Sequence, residues 1–315
     1  MEKVCILIPT LNEEESIGEI VREFKERGFE DILVFDGNST DSTREIARRE
    51  GARVEVQRGK GKGTAIREAF ELIDAETEAE VEMVVMIDGD GTYLPSEVDK
   101  LLKPIINGKA DHVIGNRFGF GGAFTWSHRI GNRMVNKVFG FGYGVRLNDI
   151  LSGYRAFTMK CIRRMNLQKS GFEIETEMAI ESVKKGERIK EVPITYKKRK
   201  GESKLGFFKD GSRIAHTLYM LTKTHNPMFY FGIIGFIFLI IGLLSGTFVV
   251  IRWLEGITHV LLTIFTAMMI MSGVQFFMFG VFGDLLVTVQ KDTIEMLRDR
   301  DRDRDRDKDK DKDKY

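Results

Sequence analysis

The chain has few of the features that mark secreted or nucleic-acid-binding proteins. Its 315 residues include 2 cysteines, Cys5 and Cys161, which excludes a disulfide framework and indicates a reducing, cytosolic environment. The formal net charge is +1, which gives no overall bias toward nucleic acid. Residues 1–9 are typical of a strand, without a charged region followed by an apolar one, so we expect no cleaved signal peptide.

Several catalytic signatures are also missing. The sequence has no G-x-S-x-G elbow, and its histidines have no zinc-binding spacing with the cysteines, which counts against a serine hydrolase and a structural zinc site. The glycine-rich segment Gly59–Gly63 lacks the P-loop spacing, which counts against an ATPase. This segment precedes a predicted helix and fits either a flexible turn or a loop that approaches phosphates with its amides and a lysine.

The first 115 residues alternate short apolar runs with helical patterns. This alternation predicts right-handed βαβ units and a mostly parallel sheet with helices on both faces. Asn12 is predicted to cap a helix over 13–27, and Asp41 the next helix. The predicted strands are Val4–Pro9, Ile32–Phe35, Arg53–Val56, Val81–Ile87 and Asp111–Gly115, followed by Tyr154–Thr158 and Ile189–Tyr196.

Carboxylates follow two of these strands at the point where each strand ends. Asp88 and Asp90 flank Gly89 directly after the fourth strand, and Asp36 ends the second. Ligands of α/β sheets bind at the carboxyl ends of the strands, and carboxylates with substrate phosphates suit Mg²⁺ or Mn²⁺. The pair Asp88 and Asp90 therefore predicts a metal and diphosphate site. The alternative is a simple turn, and Asp36 is a candidate for binding a base or ribose.

Two long apolar runs follow position 226. Residues 229–251 and 257–283 are uncharged and long enough to span a bilayer, and the short connector between them predicts a helical hairpin. Basic residues flank the outer ends, so we expect the catalytic part and both termini in the cytoplasm. Glycines at 232, 235, 242 and 246 suggest self-association of the spans. The tail from Arg298 alternates basic residues with Asp and predicts a disordered or solvated helical extension.

Residues 1–205 resemble glycosyltransferase family 2, and within it the polyprenol-phosphate hexosyltransferases of the dolichol-phosphate mannose synthase type. The two spans and the segment before them resemble the archaeal versions, which charge dolichol phosphate for protein glycosylation. The matching segments, in the order typical of the family, are Ile8–Glu14, Asp36–Asp41, Asp88–Asp90, Gly115–Arg117, Ser152–Arg155 and Gly201–Leu205. The position two after Asp90 is often Gln in mannose synthases and is Thr92 here.

The resemblance implies a GT-A fold, of the Rossmann-like α/β class, and roles for specific residues. Asp88 and Asp90 would bind Mg²⁺ or Mn²⁺ and the donor diphosphate, with Gly89 between them. The residues implied to contact the nucleotide are Pro9, Leu11, Glu13 and Asp36. The residues implied around the sugar and the acceptor phosphate are Arg117, Arg129, Asp149, Arg155, Ser203 and Lys204.

The expected activity is inverting transfer of a hexose from a nucleotide-diphosphate sugar to dolichyl or polyprenyl phosphate. The donor is left open among GDP-mannose, UDP-glucose and UDP-N-acetylglucosamine. A processive polysaccharide synthase is an alternative, although its Q-x-x-R-W motif is absent, and a non-catalytic sugar-nucleotide-binding scaffold is another. The expected organisation is a catalytic domain over 1–205, an amphipathic interfacial region over 206–226, two transmembrane helices over 227–288 and a charged tail over 289–315.

Overall fold

The structure is a computed structural model that describes residues 3–76, 81–118, 126–171, 173–197 and 227–312. These residues belong to two compact units, which divide between positions 217 and 218. Ser203, Lys204 and the predicted interfacial region 206–226 lie outside the described residues.

The first unit is built on a 7-stranded sheet with the order β3-β2-β1-β4-β6-β5-β7. Neighbouring strands are parallel except at β6, which pairs antiparallel with both β4 and β5. The predicted, mostly parallel sheet is therefore confirmed. The strands are β1 (Val4–Thr10), β2 (Ile32–Asp36), β3 (Arg53–Val56), β4 (Met83–Met86), β5 (His112–Asn116), β6 (Arg155–Thr158) and β7 (Ile189–Pro193).

Helices connect these strands and cover the sheet. They are α1 (Ile17–Glu26), α2 (Thr43–Arg49), α3 (Lys62–Glu76), α4 (Val98–Ile106), α5 (Trp126–Tyr143), α6 (Met159–Arg164) and α7 (Ile174–Lys184). A 3₁₀ turn over Pro95–Glu97 leads into α4, with proline at its first position, where no amide hydrogen is needed.

The centre of the sheet is buried on both faces. All 7 residues of β1 are buried, as expected for a central parallel strand covered by helices on each side. Because successive side chains alternate between faces, Ile6 and Ile8 pack with Val21 and Phe24 of α1. Cys5 and Leu7 pack on the other face with residues of α3, including Ile66 and Phe70.

The predicted capping role of Asn12 is wrong. Helix α1 begins at Ile17, with Ser16 at the N-cap position. Asn12 has a φ of 53°, and its Oδ1 accepts a hydrogen bond from the Thr40 amide at 2.8 Å. Asn12 therefore joins the loop after β1 to the loop after β2. Asp41 does act at the start of α2, where its Oδ1 accepts from the Thr43 amide at 3.1 Å.

The second unit is an antiparallel pair of helices, α8 (Pro227–Leu254) and α9 (Val260–Lys312). The segments Tyr230–Leu254 and Val260–Val289 are long and apolar enough to cross a membrane. Only 11% of the most apolar window in each segment is buried, whereas the core helix of a soluble protein would be mostly buried. The helices contact each other through glycines and through a hydrogen bond of 2.9 Å from Thr266 Oγ1 to Ser245 Oγ.

Three of the four glycines expected to mediate self-association pack against the other helix of the same chain. A Cβ at Gly235, Gly242 or Gly246 would come close to atoms of α9, and at Gly232 it would meet nothing within 4 Å. Three of these glycines therefore serve helix packing within the chain. Beyond the second span α9 continues to Lys312, so the backbone of the charged tail is helical, which was one of the two expected alternatives.

Candidate functional site

The candidate site lies where four adjacent strands end. In the parallel register Thr10 of β1 is opposite Asp36 of β2, which is itself opposite Val56 of β3. On the other side of β1, Leu7 is opposite Met86 of β4. Asp88 follows β4 by two residues, so it lies at the same edge of the sheet as Pro9, Thr10 and Asp36. The structure thus brings together three of the residues predicted to bind the donor, Pro9, Asp36 and Asp88.

The loop over Asp88–Asp90, here the acid loop, is fixed by contacts to neighbouring segments. Gly89 packs so closely against Thr10 that a Cβ there would collide with the threonine methyl group. The Gly89 carbonyl accepts a hydrogen bond of 2.6 Å from Ser16 Oγ. Asp90 Oδ1 accepts from the amide and hydroxyl of Thr92, at 3.1 and 2.6 Å. Thr92, where mannose synthases often have Gln, therefore orients Asp90.

A partly buried lysine joins the acid loop to α7. Lys62, the first residue of α3, places Nζ 2.6 Å from Asp88 Oδ1 and 2.6 Å from Glu175 Oε1. Burial opposes the charge on Lys62, but the carboxylates of Asp88 and Glu175 outweigh it and raise the pKa of the lysine. Because a cation is unfavourable at a helix N-terminus, these two carboxylates also stabilise the start of α3.

The glycines beside Lys62 explain how it reaches the site. A Cβ at Gly61 or Gly63 would collide with the carbonyls of Ser170 and Lys169, and the Gly63 amide donates to Ser170 at 2.9 Å. Gly61 also has a φ of 96°, which favours glycine. Gly59–Gly63 is therefore not a flexible turn. It is an anchored loop that directs a lysine into the site.

The donor atoms of the acid loop fit a divalent cation that is shared with a substrate. Among the residues that the structure describes, no cluster of three or more His, Cys, Asp or Glu side chains could hold a metal alone. Magnesium typically uses one or two carboxylates together with substrate phosphates and water, so a pair of acids is sufficient. Gly153 provides space for the Asp88 carboxylate, because a Cβ at this position would collide with both carboxylate oxygens. Asp88 and Asp90 are thus suited to Mg²⁺ or Mn²⁺.

Two unpartnered oxygen atoms lie at the other end of the edge. Asp36 is fully buried, and its Oδ2 accepts from the Ser39 amide at 2.8 Å. Asp36 Oδ1 and Gln57 Oε1 are buried and have no hydrogen-bond partner among the described residues. Arg44 Nε lies 3.8 Å from Asp36 Oδ2 and offsets part of its charge. Buried acceptors without partners are costly, so this pair is suited to N–H groups of a ligand.

A second cluster of charged groups surrounds Asp149. Arg117 donates two hydrogen bonds of 2.7 Å to Asp149, one to each carboxylate oxygen. Asn132 of α5 donates to Asp149 Oδ1 at 3.1 Å, and Asp149 itself is fully buried. Such a bidentate pair holds the guanidinium in a fixed orientation. Asp149 is therefore the residue that positions Arg117 and connects it to α5.

Two tyrosines in edge-to-face contact lie between the acid loop and Arg117. The rings of Tyr93 and Tyr196 are 5.2 Å apart, and Arg117 lies over the Tyr196 ring at 5.3 Å. Burial raises the pKa of Tyr196, while Arg117 opposes this rise and Asp90 and Asp88 add to it. The Gly153 amide donates to the Tyr93 hydroxyl at 2.9 Å, and Gly153 itself packs against the Asp88 carboxylate, so the tyrosine pair connects Arg117 with the acid loop.

Arg155 is placed beneath the site. It is fully buried, and it donates to the carbonyls of Ser152 at 2.8 Å and Ile150 at 2.5 Å. Its third contact is His112 Nε2 at 3.2 Å. Burial lowers the pKa of Arg155 to about 10, so the guanidinium stays charged at neutral pH. These contacts assign Arg155 to holding the loop between Asp149 and Gly153. Asp149 forms its ion pair with Arg117 and not with Arg155.

The remaining predicted residues are spread around this edge. Leu11 is 49% exposed, and the Glu13 amide donates to Thr43 Oγ1 at 2.8 Å. Arg129 is exposed on α5. Glu175 pairs with Lys62, and Glu177 accepts from the amides of residues 168 and 169. Both of these glutamates therefore have structural partners.

The chain is similar to known proteins over most of its length. The sequence profile described as "Glycosyl transferase family 2" matches residues 5–171. The chain is 42% identical over 303 residues to "Glycosyltransferase AglJ" of Haloferax volcanii, covering 95% of this chain and 98% of that protein. It is 31% identical over 221 residues to the "Dolichyl-phosphate hexose transferase" of the same organism, covering 69% of this chain and 92% of that protein.

Solved structures share the fold. Glucosyl-3-phosphoglycerate synthase from Mycobacterium tuberculosis, in complex with Mn²⁺ and UDP-glucose, aligns with a TM-score of 0.57 and 20% identity. The alignment covers 70% of this chain and 78% of the synthase. At this identity the likeness concerns the fold, which is of the GT-A type.

Proposed function

The chain belongs to glycosyltransferase family 2 and is a sugar-transferring enzyme, and on this premise we propose that it moves one hexose from a nucleotide-diphosphate sugar to dolichyl or polyprenyl phosphate. An oxygen of the acceptor phosphate forms a bond to the anomeric carbon while the bond from that carbon to the diphosphate breaks. The nucleoside diphosphate leaves with the bonding electron pair. The configuration at the anomeric carbon is inverted. The product is a lipid-phosphate sugar for glycan assembly such as protein glycosylation.

The observation that carries this proposal is the arrangement along one sheet edge. The carboxylates of Asp88 and Asp90 lie at the end of β4, and the unpartnered oxygens of Asp36 and Gln57 lie at the ends of β2 and β3. A nucleotide-diphosphate sugar needs recognition of a base at one end and neutralisation of a diphosphate at the other. Along this edge, Asp36 and Gln57 would meet the base, and Asp88 and Asp90 would meet the diphosphate.

The acid loop would hold the diphosphate through a divalent cation. Asp88 and Asp90 would be its protein ligands, and when bound the cation would neutralise the charge of the leaving diphosphate. Lys62 adds a fixed positive charge 2.6 Å from Asp88. Thr92 keeps Asp90 oriented through two hydrogen bonds.

The base would be recognised by buried acceptor atoms. Asp36 Oδ1 and Gln57 Oε1 are buried and have no hydrogen-bond partner among the described residues, so they would accept hydrogen bonds from the base. Uracil has one ring N–H and guanine has a ring N–H beside an amino group, so both bases satisfy a carboxylate. These atoms therefore support a nucleotide donor and leave GDP-mannose, UDP-glucose and UDP-N-acetylglucosamine as the candidates.

Arg117 would bind the acceptor phosphate. Asp149 holds its guanidinium by two hydrogen bonds of 2.7 Å, next to a site that also contains Asp88 and Asp90. A phosphate monoester has a second pKa of about 6, so the acceptor is mostly a dianion at neutral pH. Its reaction then requires positioning and charge neutralisation more than a general base. This agrees with the structural roles of Glu175 and Glu177.

A lipid acceptor is supported by two independent observations. One relative carries the name dolichyl-phosphate hexose transferase, and the chain itself has two helices of bilayer-crossing length. We propose that the protein is a multi-pass protein of the cell membrane, with the catalytic unit and both termini in the cytoplasm. The charge distribution around the two spans supports this topology.

The proposal is tested with the purified full-length protein, dolichyl phosphate and a panel of labelled GDP-mannose, UDP-glucose and UDP-N-acetylglucosamine. We expect one donor to give a labelled lipid that contains a single sugar. A growing polymer would identify a processive synthase, and bound donor without any product would identify a scaffold. Either of these two results would overturn the proposed transfer.

A further inference from the structure

Lys62 places a positive charge directly on one of the two residues assigned to the divalent cation. Its Nζ lies 2.6 Å from Asp88 Oδ1, and its side chain is 15% exposed. Because the group is mostly shielded from solvent, water and salt screen its charge only in part. Two cations a few ångströms apart repel each other strongly in such surroundings. Lys62 therefore opposes the binding of a divalent cation to the carboxylate that it contacts.

The main chain and a second carboxylate keep Lys62 in this position. Gly61 and Gly63, on either side of it, pack tightly against the carbonyls of residues 170 and 169. Glu175 Oε1 lies 2.6 Å from the ammonium group, and Glu175 is 4% exposed. Withdrawal of Lys62 would break this ion pair and leave a buried carboxylate behind, at a high energetic cost. The structure thus retains the positive charge beside Asp88.

The acid loop offers a cation little to offset this repulsion. The Gly153 backbone packs against both carboxylate oxygens of Asp88, which limits rotation of that side chain. Asp90 Oδ1 already accepts two hydrogen bonds from Thr92. Within the described ranges of the chain, no third His, Cys, Asp or Glu side chain completes a metal-binding group. Tight binding of a cation here therefore requires oxygen ligands and negative charge from a substrate.

We propose that Lys62 keeps the acid loop from binding a divalent cation tightly until the donor diphosphate is present. This inference rests on the proposed function, which places the diphosphate at Asp88 and Asp90. A diphosphate brings several negative charges and the missing oxygen ligands, and it is attracted by the lysine as well as by the cation. The same ammonium group therefore disfavours the metal alone and favours the metal together with the diphosphate.

The ion pairs of Lys62 provide two variants with opposite expected effects on metal binding. Lys62→Met removes the positive charge and leaves the carboxylates of Asp88 and Glu175. Glu175→Gln removes a negative charge and leaves Lys62 in contact with Asp88. Both changes disturb the same ion-pair cluster, so both should lower the stability of the unit. A metal affinity that rises in one variant and falls in the other therefore does not result from loss of structure.

The test measures binding of Mn²⁺ alone to the donor-free, full-length protein in a non-ionic detergent. Electron paramagnetic resonance reports the concentration of the free ion. We expect Lys62→Met to bind Mn²⁺ at least about tenfold more tightly than wild type, because the repelling charge is gone. Glu175→Gln should bind Mn²⁺ more weakly than wild type, and the double variant should lie between the two single variants.

Two controls locate the effect. Lys60→Met removes a positive charge from the same loop, and because Lys60 is exposed we expect the wild-type affinity for Mn²⁺. Asp88→Asn, added to Lys62→Met, distinguishes the acid loop from the aspartates of the tail, which also attract Mn²⁺. It should abolish the gain in affinity. A gain that persists without Asp88 would place the ion elsewhere and overturn the proposal.

Mn²⁺ binding by Lys62→Met that is equal to or weaker than that of wild type would also overturn it. The measurement involves no sugar transfer, so this inference and the proposed function can fail separately. Normal transfer with equal Mn²⁺ affinities would remove only the role of Lys62 in metal binding. The expected order of affinities in a protein that transfers no sugar would support that role and overturn the proposed transfer.

Discussion

The ammonium group of Lys62 lies 2.6 Å from Asp88 Oδ1 and 2.6 Å from Glu175 Oε1, so one partly buried cation links the acid loop to α7. Glu175 is 4% exposed, and its Oε2 has no hydrogen-bond partner among the described residues. The positive charge of Lys62 thus compensates the buried negative charge of Glu175. It also lies beside the carboxylate that we assign to the metal and the diphosphate.

Lys62→Met should destabilise the catalytic unit and slow transfer. Removing one partner from a buried charge pair typically costs about 3–5 kcal/mol, because the other charge remains unpaired. Thermal unfolding of the detergent-solubilised chain measures this loss. Lys60→Met is the matched control, since Lys60 is exposed in the same loop, and we expect it to be near neutral. Adding Glu175→Gln to Lys62→Met should restore part of the stability, and equal stability of Lys62→Met and wild type would contradict this account.

Substitutions of Arg117 and Asp149 should change stability and activity to different extents. Arg117→Met leaves Asp149 buried without its charge partner and should cost about 3–5 kcal/mol. The double variant Arg117→Met with Asp149→Leu removes both charges, so we expect much of the stability to return while transfer stays low. Unfolding midpoints and kcat/KM of the two variants check this. Recovery of activity together with stability would show that Arg117 has only a structural role.

Asp36→Asn should weaken donor binding. The change removes a carboxylate that we propose accepts a hydrogen bond from the base, and hydrogen bonds to charged groups contribute about 1.5–3 kcal/mol, which corresponds to roughly tenfold or more in Kd. Equilibrium binding of the labelled sugar nucleotide measures the effect. Asp31→Asn, the same change next to the opposite end of β2, is the control and should leave Kd unchanged. Equal Kd values for wild type and Asp36→Asn would remove Asp36 from the site.

His112 should make the catalytic unit less stable in acid. Burial lowers the pKa of His112 well below its usual 6.5, and the neighbouring charge of Arg155 adds to this effect. The unfolded chain therefore binds a proton near pH 6.5 that the folded chain does not bind. Stability is then lost as the pH falls below the unfolded pKa, by up to about 1.4 kcal/mol per pH unit.

The control for this pH dependence is His112→Asn, which cannot be protonated. We expect unfolding midpoints measured between pH 7 and pH 5 to fall less steeply for His112→Asn than for wild type. Parallel curves for the two proteins would mean that other groups cause the acid sensitivity. Because His112 donates to or accepts from Ser182 at 2.8 Å, the variant itself should also be somewhat less stable at pH 7.

The sheet could be predicted because its strands are short apolar runs bounded by turn residues. The end of β4 with Asp88 and the end of β2 with Asp36 follow from that pattern alone. The antiparallel placement of β6 between β4 and β5 was not predicted, since the order of strands depends on packing between segments far apart in the sequence. Asn12 was predicted to cap α1 because capping hydrogen bonds join residues a few positions apart. In the structure its side chain instead accepts from Thr40, 28 positions away.

Side-chain partners at the site were the least predictable part. Lys62 was recognisable only as a lysine in a glycine-rich segment, and its contact with Asp88 depends on Gly61 and Gly63 packing against residues 169 and 170. The family resemblance implied that Arg155 contacts the sugar or the acceptor phosphate, yet its guanidinium donates to buried carbonyls. Gln57 belongs to no recognisable sequence motif. Only its unpartnered side-chain oxygen in the structure identifies it as a candidate binding residue.

The central claim is that the acid pair, Asp88 and Asp90, is required to form a lipid-linked sugar. The decisive measurement is the amount of chloroform-soluble label formed from sugar nucleotide and dolichyl phosphate by wild type, Asp88→Asn and Asp90→Asn, each with Mg²⁺ and with a chelator. We predict product only from wild type with the metal present, and normal folding of both variants by circular dichroism. Product formed at the wild-type rate by both variants, or by wild type in the presence of the chelator, would contradict the account.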